Sequence, residues 1–369
     1  MFDFAIIGGG ISGASIAYFL KRSGKKVILI DKGKIASGGS SAAGAFLSPK
    51  ICSNSKYSRF INESFKFSIN FYRENFPNFL RQDGMLRLLK NKEDIEKCKH
   101  HDQDIGVNSI YIHNYDIKYL KPAACEFGGY FFEDGALIDS VGVIKSMLRD
   151  ICVLEDTDVQ DISYKEGIYN IGDVKSKSVV LCSGSSDNFE EVKYCMFKKI
   201  YGHRLDIRTY KELPFIVHKD YSVSSSKDGL IHIGATHIPN YKYDTKKDYA
   251  DEINSMLQAA DSYLDLGEYE LLDTHFGVRT STIDFFPAIG QVINAEETLN
   301  KYPYIRKGSK VPSDRYIYYP NLYIHSGHGA RGFVLSPRTA SILANHISKN
   351  VPIDDNLNTK RLFLKYSRR

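Results

Sequence analysis

The chain contains no tryptophan, no pair of cysteines two residues apart, and no run of consecutive apolar residues approaching the roughly 18 that a membrane-spanning helix needs. The missing apolar run excludes a helical span. The N-terminus opens directly on a strand-like segment, so no signal peptide is expected and the reading is cytoplasmic. Six cysteines (Cys52, Cys98, Cys125, Cys152, Cys182, Cys195) lie far apart, which reads as free thiols in a reducing compartment and excludes a zinc ribbon or a disulfide framework. No metal site is expected; His100, His101 and Cys98 read as surface residues. Nor is there a strong charge imbalance. The 49 basic and 44 acidic residues leave a net charge of +5, which alone makes no case for nucleic acid. Internal repeats and low-complexity tracts are also lacking. With 369 residues, 43% of them hydrophobic, the chain has room for two domains with proper cores.

Local patterns are informative at both ends. Phe2 to Ile7 is a short apolar run of the kind buried parallel strands show, Ala14 to Arg22 has helical periodicity, and Val27 to Ile30 is a second apolar strand closing on Asp31. Between the first strand and the helix, Gly8, Gly10 and Gly13 form GxGxxG. The first glycine permits a tight turn, the second lets the backbone approach a pyrophosphate, and the third allows close helix–strand packing. The helix N-terminus then faces the phosphates, and Asp31 is placed to accept ribose hydroxyls. This is a dinucleotide-binding βαβ unit, and the pattern leaves FAD and NAD open. Further on, residues 58–82 look helical, Ser140 to Arg149 reads as a helix, and Val153 to Glu155, Val159 to Ile162 and Val179 to Gly184 read as strands. Alternating runs between about 195 and 277, such as Leu230 to Gly234, suggest antiparallel strands interrupted by a helix from Tyr249 to Leu264. After a strand at Leu322 to His325, Ser336 fits an N-cap and Pro337 a first helical position for a helix to about Lys349. The tail with Lys360, Arg361, Lys365, Arg368 and Arg369 reads as solvated.

Beyond these patterns, the sequence resembles the D-amino-acid-oxidase superfamily of FAD-dependent amine oxidoreductases, glycine oxidase among them. The resemblance rests on Phe4 to Asp31, Ala36 to Pro49, Glu155 to Ile162, Val179 to Gly184, Tyr221 to Thr236, Gly277 to Gly290 and Leu322 to Ile347. Gly277 to Gly290 looks like that family's GxRPxTxDxxPxxG signature, with Thr280 in place of the proline. Ser326 to Phe333 with Ser336-Pro337, and the loop Ser40 to Pro49, are similar to one branch, the oxidoreductase domains of bifunctional tRNA 5-methylaminomethyl-2-thiouridine biosynthesis proteins. Those proteins carry a methyltransferase domain before the FAD domain. This chain begins at the FAD motif, as a stand-alone version or a differently specialised relative would.

The resemblance implies an α/β fold. A Rossmann-like FAD-binding domain would comprise 1–83, 137–194 and 278–369, and a mainly antiparallel-sheet substrate domain 84–136 and 195–277. It implies FAD as cofactor, held by Gly8, Gly10, Ile11, Ser12, Gly13, Asp31, Lys32, Ser40, Ser41, Gly44, Ala45, Phe46, Val159 and Gly184. The loop Gly327, His328, Gly329, Ala330, Arg331, Gly332 would lie beside the flavin. Arg279 becomes the substrate-carboxylate anchor, since a guanidinium forks onto a carboxylate as lysine cannot, with an ordinary ion pair as the plain alternative. Arg331 meets substrate or flavin, or stabilises its loop. His325 and His328 are not assigned as general bases, because the family's amine need only be neutral. Tyr201, Tyr221, Tyr241 and Tyr243 are pocket candidates, and Lys198, Lys199, Arg204, Arg208, Lys242, Lys246 and Lys247 are candidate phosphate contacts. Three readings stay open. One is removal of the carboxymethyl group of 5-carboxymethylaminomethyluridine in tRNA with release of glyoxylate, with a separate methyltransferase as a possible partner. The second is oxidation of a small amine such as glycine, sarcosine or a D-amino acid, and the third is a flavin-binding scaffold.

Overall fold

A computed structural model of the chain describes residues 1–101, 106–113, 120–185, 189–240, 244 and 249–369, apart from the side chains of His100 and His101. Tyr241, Tyr243, Lys242, Lys246 and Lys247 lie outside the described residues. The chain divides into two compact units, one of Met1–Gly38, Ile144–Lys199 and Arg279–Arg369, the other of Gly39–Val143 and Ile200–Val278. Residues 39–83 thus pack with the second unit, whereas the sequence reading groups them with the first.

The first unit is built on a parallel sheet. Phe2–Ile7 pairs with Val27–Ile30 on one side and Val174–Leu181 on the other; Cys152–Leu154 and Tyr318–Ser326 extend it outward in the same direction. Antiparallel strands at its margins complete eight. The strands are near-continuous apolar runs because helices leave little of either face to water. Ala5, Ile7, Ile28, Ile30, Val179, Leu181, Leu322 and Ile324 fill the core on one face. On the other, helix Ile11–Arg22 packs against helix Gly332–Lys349.

A nine-stranded, mainly antiparallel sheet forms the second unit, with Ile216–His218 running parallel to Met85–Leu88. Strand Lys198–Thr209 pairs with Leu230–Gly234, and Tyr269–Ser281 also pairs with it. Leu205, Ile207, Ile231 and Ile233 point to one face, where Met256, Ala260 and Tyr263 of helix Ala250–Tyr263 close the core. A small three-stranded sheet joins Phe46–Leu47, Leu80–Arg81 and Ala136–Ile138.

Several local expectations are corrected. The helix expected over 58–82 spans Lys56–Asn75, and Pro77 starts a separate 3-10 turn, because proline cannot supply the next helical N–H. Val159–Ile162 is not a strand. Its approach instead bonds to the turn after the second strand, through Thr157 N–H to the Asp31 carbonyl (2.9 Å). The last long helix starts at Gly332, continuing a 3-10 turn at Gly329–Arg331, so Ser336 and Pro337 lie inside it and neither caps it. The basic tail forms helix Lys360–Tyr366, anchored by buried Leu362 and Phe363. Cys52 and Cys98 are joined in a disulfide, contrary to the free-thiol reading; helix Lys92–His101 brings Cys98 to Cys52 across a separation of 46 residues. Cys125, Cys152, Cys182 and Cys195 are free thiols. Among the described residues, no helix is long and apolar enough to cross a membrane.

Candidate cofactor site and active site

The glycine turn is shaped by close backbone approach. Gly8 adopts φ +113°, and a Cβ there would be driven into the Cys182 carbonyl; one on Gly13 would strike the Gly8 carbonyl oxygen. Gly10 is the N-cap of helix Ile11–Arg22, contributes no side-chain cap, and is followed by a first turn without acidic residues. The helix end therefore keeps its partial positive charge for an anionic ligand. Asp31 stands beside the turn, its Oδ2 accepting from Gly9 N–H (2.5 Å) and its Oδ1 from Gly33 N–H (2.8 Å). Each oxygen has a second lone pair with which to meet a hydroxyl. Glu155 and Asp156 brace the following turn through Lys34, and Glu155 Oε1 also accepts from Ile35 N–H (2.8 Å). Lys32 is exposed, Val159 has its side chain in the core, and Gly184 (φ +60°) sits in open space. A side-chain-free cradle, an uncapped helix N-terminus and a neighbouring carboxylate together fit a pyrophosphate-linked dinucleotide such as FAD.

The loop before the last long helix is tied to this turn by a polar ring. His328 Nδ1 meets Ser12 Oγ (3.0 Å) and its Nε2 meets Thr339 Oγ1 (3.0 Å), while His325 Nε2 meets the same Oγ1 (2.8 Å) and its Nδ1 the Ser12 carbonyl (3.0 Å). A carbonyl can only accept, so His325 donates from Nδ1. The other ring nitrogens lie within hydrogen-bond distance of the Ser12 and Thr339 hydroxyls, and Thr339 Oγ1 itself donates to the Leu335 carbonyl (2.9 Å). Burial pushes His325 down to about 3, only partly offset by its bond to Ser12, and holds His328 well below the usual histidine range. The ring of His328 is thus engaged within the protein, so His328 can face a ligand through its backbone only. Gly327 (φ +82°) and Gly329 (φ +59°) supply the backbone freedom around it, and a Cβ on Gly327 would crowd Thr282 and Phe197. Arg331 is half-buried at the N-cap of the helix.

The signature segment ends against that loop, where Ser281 bridges His328. Arg279 is half-buried, and burial lowers its guanidinium from the ordinary value. The Thr280 hydroxyl, standing where the family signature has proline, is buried without a hydrogen-bond partner among the described residues. Asp284 is gripped by Arg361 (3.0 and 3.1 Å) and Lys365 (2.8 Å). Burial would raise its pKa, but these two cations outweigh it and lower the carboxyl.

In the second unit, the loop through Ser40, Ser41, Gly44, Ala45 and Phe46 leads into a strand that pairs with Ala136–Ile138. Ala45 adopts φ +48° and its carbonyl accepts from Ile138 N–H (3.1 Å). A Cβ on Gly277 would contact Ala42, so the strand face that carries Gly277 packs against this loop. Arg279 follows on the same face by strand alternation. Arg204 is no phosphate contact. It is 9% exposed and its Nη1 donates to the Ser41 and Ala43 carbonyls (3.1 and 2.8 Å), a role the sequence reading missed. Lys198 is exposed, Lys199 half-buried, and Arg208 exposed beside Glu270 at 3.7 Å. Tyr201 stacks on Phe276 and bonds Asn240, while the Tyr221 carbonyl accepts from Tyr263.

Two outcomes follow. Asp31→Ala is expected to loosen the turn and weaken cofactor retention; undiminished flavin content after extensive dialysis would count against the ribose role. The unfolded chain takes up protons on His325 as pH falls through about 6.5, whereas the folded chain resists until about 3. Stability from this group is therefore full above the unfolded value and declines as pH falls across that window. Urea midpoints measured between about pH 7 and 5 should fall more steeply in the native protein than in His325→Gln. Equal slopes would refute the assignment.

Comparison with known proteins agrees with this geometry. The sequence profile of the FAD dependent oxidoreductase (DAO) family matches residues 3–346. The chain is 24% identical over 367 residues to the tRNA 5-methylaminomethyl-2-thiouridine biosynthesis bifunctional protein MnmC of Legionella pneumophila strain Corby, covering 94% of this chain and 54% of that protein. It is 22% identical over 374 residues to the protein of the same name from Chromobacterium violaceum, covering 92% and 55%. The chain thus spans about half the length of these relatives. Glycine oxidase from Bacillus cereus has the same fold (TM-score 0.77, 22% identity, 95% and 96% covered), as does L-proline dehydrogenase from P. horikoshii (0.73, 19%, 95% and 94%). On the extent of the profile match, the chain belongs to the DAO family of FAD-dependent oxidoreductases, with FAD as its cofactor.

Proposed function

We propose that the protein oxidises a secondary amine adjacent to a carboxylate, removing the carboxymethyl group of 5-carboxymethylaminomethyluridine in tRNA and releasing glyoxylate. The observation that carries the amine–carboxylate reading is Arg279, a half-buried guanidinium on strand Tyr269–Ser281. Such a group can fork onto a carboxylate where water competes poorly. The tRNA part rests on similarity, along 94% of this chain, to proteins named for tRNA thiouridine biosynthesis.

In this reading Arg279 holds the carboxylate and fixes the neighbouring methylene, so that orientation supplies much of the rate. Bound FAD supplies the two-electron oxidant. The N-terminus of helix Gly332–Lys349, with no acidic residue in its first turn, offers partial positive charge where negative charge develops. Neither His325 nor His328 moves a proton, because both rings are buried and hydrogen-bonded inside the protein. Oxidation of the N–CH2 bond gives an imine; water adds to its carbon, and collapse frees the amine and glyoxylate. The aminomethyl product suits a methyltransferase as partner, and a tRNA substrate accords with a cytoplasmic enzyme.

A small-amine oxidase is the second reading, and one observation favours it. Arg204, a candidate phosphate contact, is buried and paired, and Arg208 has an acidic neighbour. The deciding measurement is anaerobic bleaching of the flavin by tRNA bearing the modified uridine, against glycine, sarcosine and D-amino acids. Bleaching by the tRNA alone supports the first reading; bleaching by a small amine with tRNA inert transfers the assignment to the second. Under either, Arg279→Ala should keep its flavin and lose at least about a hundredfold in kcat/KM, the scale of a desolvated charge pair. An unchanged kcat/KM would remove Arg279 from the site.

A further inference from the structure

Strand alternation sorts the second unit's sheet into two chemically different faces. Leu205 and Ile207, with Ile231 and Ile233, enter the apolar core, so Arg204, Asp206 and His232 share the opposite face. There, three side chains meet on the Asp206 carboxylate. Arg204 Nε and Nη2 fork onto Asp206 Oδ1 and Oδ2, both at 3.0 Å. His232 Nδ1 approaches Oδ1 at 2.7 Å, and His275 Nε2 approaches Oδ2 at 2.8 Å, with Asp273 a further 3.4 Å neighbour of His275. Burial alone would raise the Asp206 carboxyl, but His232 and Arg204 outweigh it and hold it well below the usual range.

The remaining arm of Arg204 sets the direction of this cluster. Its Nη1 donates to two carbonyls of one loop, Ser41 and Ala43, and Arg204 is nearly buried. Burying a guanidinium is expensive unless its donors are satisfied, and here carboxylate and loop carbonyls satisfy them together. Neither partner alone would: without Asp206 the charge is uncompensated, and without the loop two donor directions are empty. The loop and the carboxylate are therefore coupled through one rigid plane. Lysine, a point donor on a flexible stem, could not fork onto Asp206 and span both carbonyls at once.

We infer that Arg204, locked by Asp206 with His232 and His275, is a positioning residue that holds the Ser40–Phe46 loop in its FAD-binding conformation. The inference rests on the reading that this loop contacts FAD, and the test separates the two. In the holoenzyme, backbone amide exchange over residues 39–46 is followed alongside FAD release on dilution, for Arg204→Gln, Asp206→Asn and Arg204→Lys. Arg204→Gln should speed exchange in the loop and weaken FAD retention by about tenfold, the scale of a lost charge-assisted hydrogen bond. Exchange in strands Met85–Leu88 and Ile216–His218 should stay as it was, which a general loss of stability would not allow. Asp206→Asn should act in the same direction and carries the test if Arg204→Gln does not fold. Arg204→Lys should recover part of both effects, since an ammonium reaches one carbonyl. Unchanged loop exchange in the first two variants overturns the anchor. Faster loop exchange with undiminished FAD retention overturns the loop's cofactor role, and the proposal with it.

Discussion

Helix Ile11–Arg22 lies as near the first strand as it does because nothing but hydrogen stands on Gly13, where a methyl group would strike the Gly8 carbonyl. That single steric constraint places the helix N-terminus at the end of the parallel sheet and brings Ser12 within reach of His328. It also allows the last long helix to pack alongside, with Gly332 tight against Ile11. The phosphate cradle and the loop expected beside the flavin are thus held by one close contact between backbones. The polar ring of Ser12, His325, His328 and Thr339 then fixes their separation with directional bonds, which hydrophobic packing alone would leave looser.

Much of this was legible because its causes are local. Gly8 at φ +113° against the Cys182 carbonyl, and Gly13 against the Gly8 carbonyl oxygen, leave no room for a side chain, so GxGxxG announces the turn by itself. Unbroken apolar runs announce strands covered on both faces, and Phe2–Ile7 and Val27–Ile30 match their expected bounds. The family signature singles out Arg279 as a candidate, and its strand alternation with Gly277 gives that arginine a definite face.

What escaped the sequence depends on long-range partners. Arg204 looks like any solvated cation until its strand is paired; only then do Asp206, His232 and His275 surround it. Cys52 and Cys98 carry no spacing signal because a helix and a loop, rather than a short motif, bring them together. The basic tail carries enough charge to read as solvated, yet it is an amphipathic helix. Leu362 and Phe363 bury one side while Arg361 crosses to Asp284 within the family signature. The start of the last long helix was misplaced because Ser336-Pro337 imitates a cap, yet the preceding 3-10 turn had already begun the spiral.

Strand Tyr269–Ser281 gives this architecture a parity rule. His275, Gly277 and Arg279 occupy odd positions, which keeps the Asp206 contact, the approach to Ala42 and the arginine on one face. Inserting or deleting one residue between them would turn everything downstream to the other side, whereas the chemically drastic exchange of Thr280 for a proline leaves the parity intact. Changes in the length of this strand must therefore come in pairs or be absorbed by a bulge.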